Sequence, residues 1–113
     1  MGVYRQFRLL TDTTALSVLR VLSERSHLSQ REVASEVGVS LGKAHYCVRA
    51  LIDKGFVKAE NYRNSQNKLA YLYLLTPAGV KAKAELTRRF LAIKLKEYER
   101  LSLEIEGLRR DSD

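Results

Sequence analysis

Apolar residues in the first part of the chain recur at helical spacings. Leu16, Leu19 and Leu22 are three positions apart, which is typical of one face of a helix. The polar residues 11–14 directly before them (TDTT) offer helix caps. This pattern predicts a first helix over about residues 13–24, preceded by about a dozen residues.

Two shorter helices follow, each with a recognisable start. Ser29 and Glu32 have the spacing of a capping box, and Gly38 is a typical helix end. Ser40 caps a third helix that extends to about Lys54. The buried face of the second helix is predicted to consist of Val33, Ala34 and Val37. Two short helices joined by a three-residue turn that begins with glycine form the helix-turn-helix pattern.

The pattern becomes extended after Gly55. FVKAENY (56–62) and LAYLYLL (69–75) are predicted strands, and RNSQNK between them is a polar turn. Thr76 and Pro77 then begin a last helix with no strong breaker before Gly107. At 1.5 Å per residue this helix would be about 45 Å long.

We therefore predict a mainly α fold with a small β-hairpin wing. Residues 1–76 form a winged helix-turn-helix DNA-binding domain, and residues 77–113 form one long C-terminal dimerisation helix.

The last helix carries an apolar stripe close to a heptad seam. A second stripe nearer the domain contains Leu86, Phe90 and Ile93. A domain of this size cannot cover both stripes, so we predict a homodimer through Phe90, Leu91, Leu95, Tyr98, Leu101, Ile105 and Leu108. A membrane-surface helix is the rival interpretation. Five glutamates on the polar face disfavour anionic lipid: Glu85, Glu97, Glu99, Glu104 and Glu106.

The chain is basic, and the excess positive charge is clustered. It has 113 residues, 20 Lys+Arg against 13 Asp+Glu, a net charge of +7 and a pI near 9.8. Six basic and two acidic residues lie between Ser40 and Lys68, which favours a polyanionic partner such as nucleic acid. The sequence contains no apolar run of membrane-spanning length and no signal-peptide core at its start. A cytoplasmic location is expected.

GVSLGKAHYC (38–47) resembles a nucleotide-binding loop at its Gly-Lys pair. The P-loop requires four residues between its glycines and a Ser/Thr after the lysine. Here three residues separate the glycines, and Ala44 follows Lys43. At 100° per residue, Ala44, Cys47, Val48 and Leu51 instead share one face, and Gly42, Tyr46 and Arg49 lie opposite. The sequence therefore indicates a helix that reads a DNA major groove.

The hairpin is predicted to contact DNA as a wing. Arg63 is placed in the turn, among amide and hydroxyl side chains, where an arginine can enter a minor groove. The complete predicted set of DNA-binding residues is Ser40, Gly42, Lys43, His45, Tyr46, Arg49, Lys58, Arg63, Asn64 and Lys68.

Candidate chemistry outside this set is sparse. Cys47 lies on the predicted buried face, which favours a structural cysteine over a redox sensor. His27 and His45 lack metal-ligand spacing, and a single cysteine excludes an internal disulfide. No catalytic arrangement is detectable, so we predict no enzyme activity, no metal and no cofactor.

The segment from about residue 28 to Leu91 resembles MarR-type winged-helix regulators, and most closely the small branch associated with exopolysaccharide gene clusters. SQRE, GVS and ALIDKGFV are shared by many winged helices. VSLGKAHYC, NSQNKLAYLYLLTPAG and LTRRFL are more specific to the branch. The resemblance implies a dimer that binds double-stranded DNA and regulates bacterial transcription.

Two features of larger MarR-type proteins are not expected here. In those proteins an N-terminal helix joins the dimerisation helices, and a ligand pocket lies near that junction. The short segment before helix one makes a small-molecule effector doubtful. The wing also lacks the acidic-plus-arginine pattern of the larger relatives.

Two other functions remain open from the sequence. A winged helix can serve as a protein-interaction module, although an apolar or acidic recognition face would then be expected. An RNA-binding winged helix is the second alternative.

Overall fold

The computed structural model describes the backbone of residues 2–63 and 65–113, and the side chains of residues 13–63 and 65–113. The elements in chain order are α1 (Gly2–Glu24), α2 (Gln30–Val37), α3 (Leu41–Asp53), β1 (Val57–Arg63), β2 (Leu69–Leu75) and α4 (Pro77–Asp111). This architecture confirms the predicted winged helix-turn-helix with a hairpin wing and a long C-terminal helix.

The predicted start of the first helix was wrong. Helix α1 begins at Gly2 and continues through residues 11–14 without a break. Ser and Thr at a potential cap do not stop a helix, because they are tolerated inside one, and no proline interrupts this stretch. The dozen residues thought to precede helix one therefore belong to it, and a short N-terminal segment is no longer a reason to doubt an effector pocket.

The turn between α2 and α3 is set by local chemistry, as predicted. The Ser29 hydroxyl accepts from the Glu32 backbone N–H, and the Glu32 carboxylate accepts from the Ser29 N–H, both at 3.1 Å. Gly38 ends α2 in the left-handed region at φ 82°, where a side chain would be strained. Ser40 then caps α3 by accepting from the Lys43 N–H. Helix α3 ends at Asp53, with Lys54 as its C-cap.

The wing is a two-stranded antiparallel hairpin whose register runs from Val57 opposite Leu75 to Arg63 opposite Leu69. The first strand is shifted by one residue from its predicted range, and Arg63 ends that strand instead of lying in the turn. Outside the hairpin, the Tyr73 N–H donates to the Ser26 carbonyl at 3.0 Å. Strand β2 is therefore attached to the α1–α2 connection as well as to β1.

One hydrophobic core joins α1, α2, α3 and the hairpin. Its fully buried members include Val18, Leu19, Val33 and Val48. The complete buried cluster is Ala15, Val18, Leu19, Leu22, Leu28, Val33, Cys47, Val48, Leu51, Val57 and Tyr73.

The first turns of α4 are fixed against this domain. Thr76 caps the helix, its hydroxyl donates to the Gly55 carbonyl, and its N–H donates to the Phe56 carbonyl at 3.1 Å. Gly79 is buried against the same backbone, and a Cβ there would lie 1.9 Å from the Phe56 carbonyl oxygen. Leu86 packs against the core one helix face further along.

The rest of α4 extends away from the domain. The Cα radius of gyration is 18.3 Å and the longest dimension is 67 Å, whereas a compact chain of this length would have a radius of about 13 Å. Helix α4 also passes through Gly107 and ends at Asp111, so the expected break at Gly107 was wrong. An isolated glycine costs about 1 kcal/mol in a helix, which the surrounding helical residues tolerate.

Candidate nucleic-acid interface

Helix α3 has two chemically distinct faces. Ala44, Cys47, Val48 and Leu51 are 5% exposed or less and pack on α1 and α2, as the helical wheel predicts. The other face is exposed and carries Gly42, Lys43, His45, Tyr46 and Arg49. The second helix of the helix-turn-helix thus presents two cations, an imidazole and a phenol to solvent.

The amino-terminal turn of α3 is open. The Ser40 hydroxyl is engaged as the cap, so its first role is structural. At Gly42, an added Cβ would meet no atom within 4 Å. Packing within this chain therefore does not require the glycine, and a polyanion can approach the backbone here closely.

A contact that sequence reasoning missed connects α3 to the wing. His45 Nδ1 lies 2.7 Å from Gln30 Oε1, and Gln30 Nε2 donates to the Tyr73 hydroxyl at 3.2 Å. These three residues come from α3, the first turn of α2 and strand β2. No local sequence signal announces the contact, because it depends on tertiary packing over 43 positions.

The wing cations are partly engaged within the hairpin. Lys58 forms an ion pair with Glu60 at 2.7 Å, and the hydrogen bond and charge of Glu60 raise the pKa of the lysine. Arg63 Nη1 donates to the Asn67 carbonyl at 3.2 Å. Asn67 has a positive φ of 59°, and Lys68 beside it is exposed. Predicted residue Asn64 lies outside the described residues.

Cys47 lies beneath the reading face, not on it. Its side chain is 1% exposed, and burial raises the pKa of the thiol to about 11. The thiol is therefore protonated near neutral pH, whereas a reactive cysteine needs a stabilised thiolate.

The predicted dimerisation residues lie along one side of α4. Phe90 is half-buried at the edge of the domain, and the others are exposed, from 41% for Ile105 to 68% for Tyr98 and Leu108. Lys94 falls within the same side, and its ammonium group is paired with Glu97 at 3.2 Å.

Two other kinds of feature are absent from the described part of the chain. Within residues 2–63 and 65–113, no helix combines the length and hydropathy needed to cross a membrane. The same residues contain no cluster of three potential metal-ligating side chains.

Comparisons with known proteins agree with this geometry. Residues 11–58 match the family model described as winged helix-turn-helix DNA-binding. That match covers α2 and α3, most of α1 and the start of the wing. Among curated proteins, no sequence matches the chain significantly.

Solved structures of bacterial regulators share the fold. A PadR-like regulator from Bacillus cereus superposes with a TM-score of 0.72 at 13% identity, over 85% of this chain and 96% of its own. PcaV from Streptomyces coelicolor gives 0.64 at 21% identity, over 99% and 87% of the two chains. A MarR/EmrR family regulator from Acinetobacter sp. ADP1 gives 0.56 at 21% identity, over 88% and 75%.

The chain therefore contains a winged helix-turn-helix domain, and its structural neighbours are transcriptional regulators of the MarR and PadR families. The family match and the exposed basic face of α3 together support a DNA-binding regulator of transcription.

Proposed function

We propose that this protein is a homodimeric regulator of transcription that binds specific sequences of double-stranded DNA. The observation that carries the proposal is the division of α3 into a buried apolar face and an exposed face with Lys43, His45, Tyr46 and Arg49. That exposed face lies on the helix that enters the major groove in helix-turn-helix proteins.

Within this proposal, α3 supplies sequence discrimination. Arg49 and Tyr46 project from successive turns and donate hydrogen bonds to base edges, the arginine to guanine O6 and N7. Lys43 lies in the first turn, where its ammonium group and the open backbone at Gly42 approach phosphates. These contacts divide α3 into a base-reading part and a phosphate-binding part.

The wing supplies contacts that depend less on sequence. Lys58 and Lys68 neutralise phosphates, which releases counterions and makes binding salt-dependent. Arg63 enters an adjacent minor groove and favours a narrow A/T segment. Its hydrogen bond to Asn67 and the ion pair of Lys58 with Glu60 are exchanged for DNA contacts on binding.

The α4 helices join two protomers. Six exposed residues repeat at intervals of three and four, the spacing of a self-complementary helix pair: Leu91, Leu95, Tyr98, Leu101, Ile105 and Leu108. Burying a half-exposed side chain of this size stabilises by on the order of 1 kcal/mol. Two such stripes together provide on the order of 10 kcal/mol, which is comparable to the cost of association.

The resemblance to the exopolysaccharide-associated branch makes exopolysaccharide genes the proposed target, and a cytoplasmic location follows from that role. With two reading helices related by a two-fold axis, the operator is an imperfect palindrome. Its half-site centres are about 10 base pairs apart, or one further helical turn.

The test is selection of bound sequences from a random duplex pool with the full-length protein. Enrichment of an imperfect palindrome by the wild type, and its loss with Arg49→Ala, supports the proposal. Asp53→Ala, at the far end of the same exposed face, is the matched control and should select the same motif. If no duplex is enriched, and the protein instead retains a protein partner or RNA, one of the two alternative functions is correct.

A further inference from the structure

The contact between His45, Gln30 and Tyr73 specifies more than a position. Gln30 is the first residue of α2, and the reciprocal hydrogen bonds between Ser29 and Glu32 fix that end of the helix. Tyr73 is 6% exposed, and its backbone is held to Ser26. The position of the Gln30 amide and that of its Tyr73 partner are therefore both fixed by the fold before any DNA is present.

The chemistry of this contact determines how the imidazole is protonated. The Gln30 amide group donates through Nε2 to the Tyr73 hydroxyl, which leaves Oε1 directed at His45. A carboxamide oxygen only accepts hydrogen bonds, so Nδ1 of His45 must carry a proton. In the neutral imidazole the other nitrogen, Nε2, is then an acceptor.

We infer that Gln30 and Tyr73 are positioning residues that make His45 a hydrogen-bond acceptor on the reading face of α3. This inference rests on the proposed function. In a major groove, an acceptor pairs with an exocyclic amino group, either cytosine N4 or adenine N6, and not with guanine O6 or thymine O4. His45 therefore selects an amino-bearing base at one operator position.

The arrangement also connects two parts of the proposed interface. Tyr73 belongs to the wing strand, whereas His45 belongs to the recognition helix. A change in the wing that removes the Tyr73 hydroxyl leaves the amide of Gln30 free to rotate. The wing thereby influences which base α3 accepts without contacting that base.

The first experiment uses the free protein and needs no DNA. Long-range ¹H–¹⁵N correlation spectra report the tautomer of each neutral histidine at a pH well above the usual histidine pKa of about 6.5. The chain has two histidines, so His45→Asn assigns the signals. Wild-type His45 should carry its proton on Nδ1, and Gln30→Ala should shift it toward the Nε2–H form. Gln30→Glu retains an acceptor oxygen and should keep the Nδ1–H form.

Two further variants complete this experiment. Tyr73→Phe should give a mixture of tautomers, because the Gln30 amide loses its fixed orientation. Ser35→Ala is an exposed substitution on the same helix and should leave the spectrum unchanged. An Nε2–H tautomer in the wild type, or no change in Gln30→Ala, overturns the inference whatever the DNA result.

The second experiment measures affinity for the selected operator and for duplexes with each base at the position that changes in His45→Ala. The wild type should prefer cytosine or adenine there by about fivefold, the value of one hydrogen bond. Gln30→Ala should lose that preference and retain those at other positions. An unchanged preference in Gln30→Ala overturns the role in base selection. If the wild type binds no duplex, the proposed function fails, and the spectra still decide the contact itself.

Discussion

The winged domain and the free part of α4 are both built from amphipathic segments, but only the former covers its own apolar face. In the domain, Val18, Leu19, Val33 and Val48 are completely buried among four elements. Beyond Phe90, every leucine, isoleucine and tyrosine of α4 is at least 41% exposed. The same kind of sequence pattern therefore specifies a core in one region and an association surface in the other.

The largest effect is expected from charges in the apolar stripe. Leu91→Glu combined with Leu101→Glu should convert the dimer to monomers, because each glutamate would be buried opposite a partner helix. Loss of the second reading head should lower operator affinity by on the order of 10²-fold or more. Analytical ultracentrifugation at micromolar protein measures the first effect, and fluorescence anisotropy measures the second.

The same helix offers a matched control. Ala92 and Leu103 are exposed and lie on the side of α4 opposite the stripe. Ala92→Glu with Leu103→Glu should therefore remain dimeric, although it introduces the same two charges. A monomeric wild type, or a monomeric control variant, would contradict the assignment of the stripe.

A pair of leucine truncations compares the two regions directly. Leu19→Ala removes a completely buried side chain from α1 and should lower the free energy of unfolding by about 2–5 kcal/mol. Leu103→Ala removes one that is 68% exposed on α4, and its effect should be within about 0.5 kcal/mol. Urea denaturation followed by circular dichroism measures both, and equal losses would show that α4 has a core of its own.

Alkaline pH should weaken the domain through Cys47. Its thiol pKa is raised from 9.0 to about 11 by burial, so the folded state keeps the proton after the unfolded state has lost it. The resulting stabilisation is complete below pH 9 and is lost as the pH rises from 9 to 11. It amounts to about 2–3 kcal/mol.

The measurement is the pH dependence of the free energy of unfolding, with Cys47→Ala as the reference. The wild type should lose more stability than Cys47→Ala between pH 9 and pH 11. Thiol labelling near neutral pH should be slow, and Cys47→Ala should still bind DNA. Rapid labelling, or release of DNA by a mild oxidant, would instead assign Cys47 a sensor role.

Within the domain, α3 and the wing should differ in how they affect specificity. Arg49→Ala and Tyr46→Ala should lower operator affinity by about 1–3 kcal/mol and relax base preference. Lys58→Ala and Lys68→Ala should weaken all duplexes similarly, and each should reduce the salt slope by about one for every phosphate that a protomer no longer neutralises. Titrations with operator and random DNA at several salt concentrations separate these effects, and identical behaviour of all four variants would refute the division.

The features predicted correctly from sequence are those that are encoded locally. Ser29 with Glu32, Gly38, Ser40 and Thr76 specify helix ends through bonds to residues within a few positions, and the structure contains each of them. The buried and exposed faces of α3 follow from helical periodicity alone. The winged helix-turn-helix fold could therefore be predicted before the structure was known.

The features missed from sequence depend on tertiary contacts or on competing local preferences. Residues 11–14 resemble a cap but lie inside α1, because no breaker separates them from the preceding residues. The closeness of Gly79 to the Phe56 carbonyl, and the Gln30 contact between α3 and the wing, involve residues far apart in sequence. No periodicity or motif reports such contacts.

The most direct test of the central claim, a rigid dimer that holds two reading helices on one face of DNA, is a spacing measurement. About five base pairs inserted between the half-sites of the selected operator turn the second half-site by about half a helical turn. Wild-type affinity should fall to that of a duplex with one half-site. The Leu91→Glu and Leu101→Glu double variant should bind both duplexes weakly and equally. Unchanged wild-type affinity after the insertion would contradict the rigid two-fold dimer.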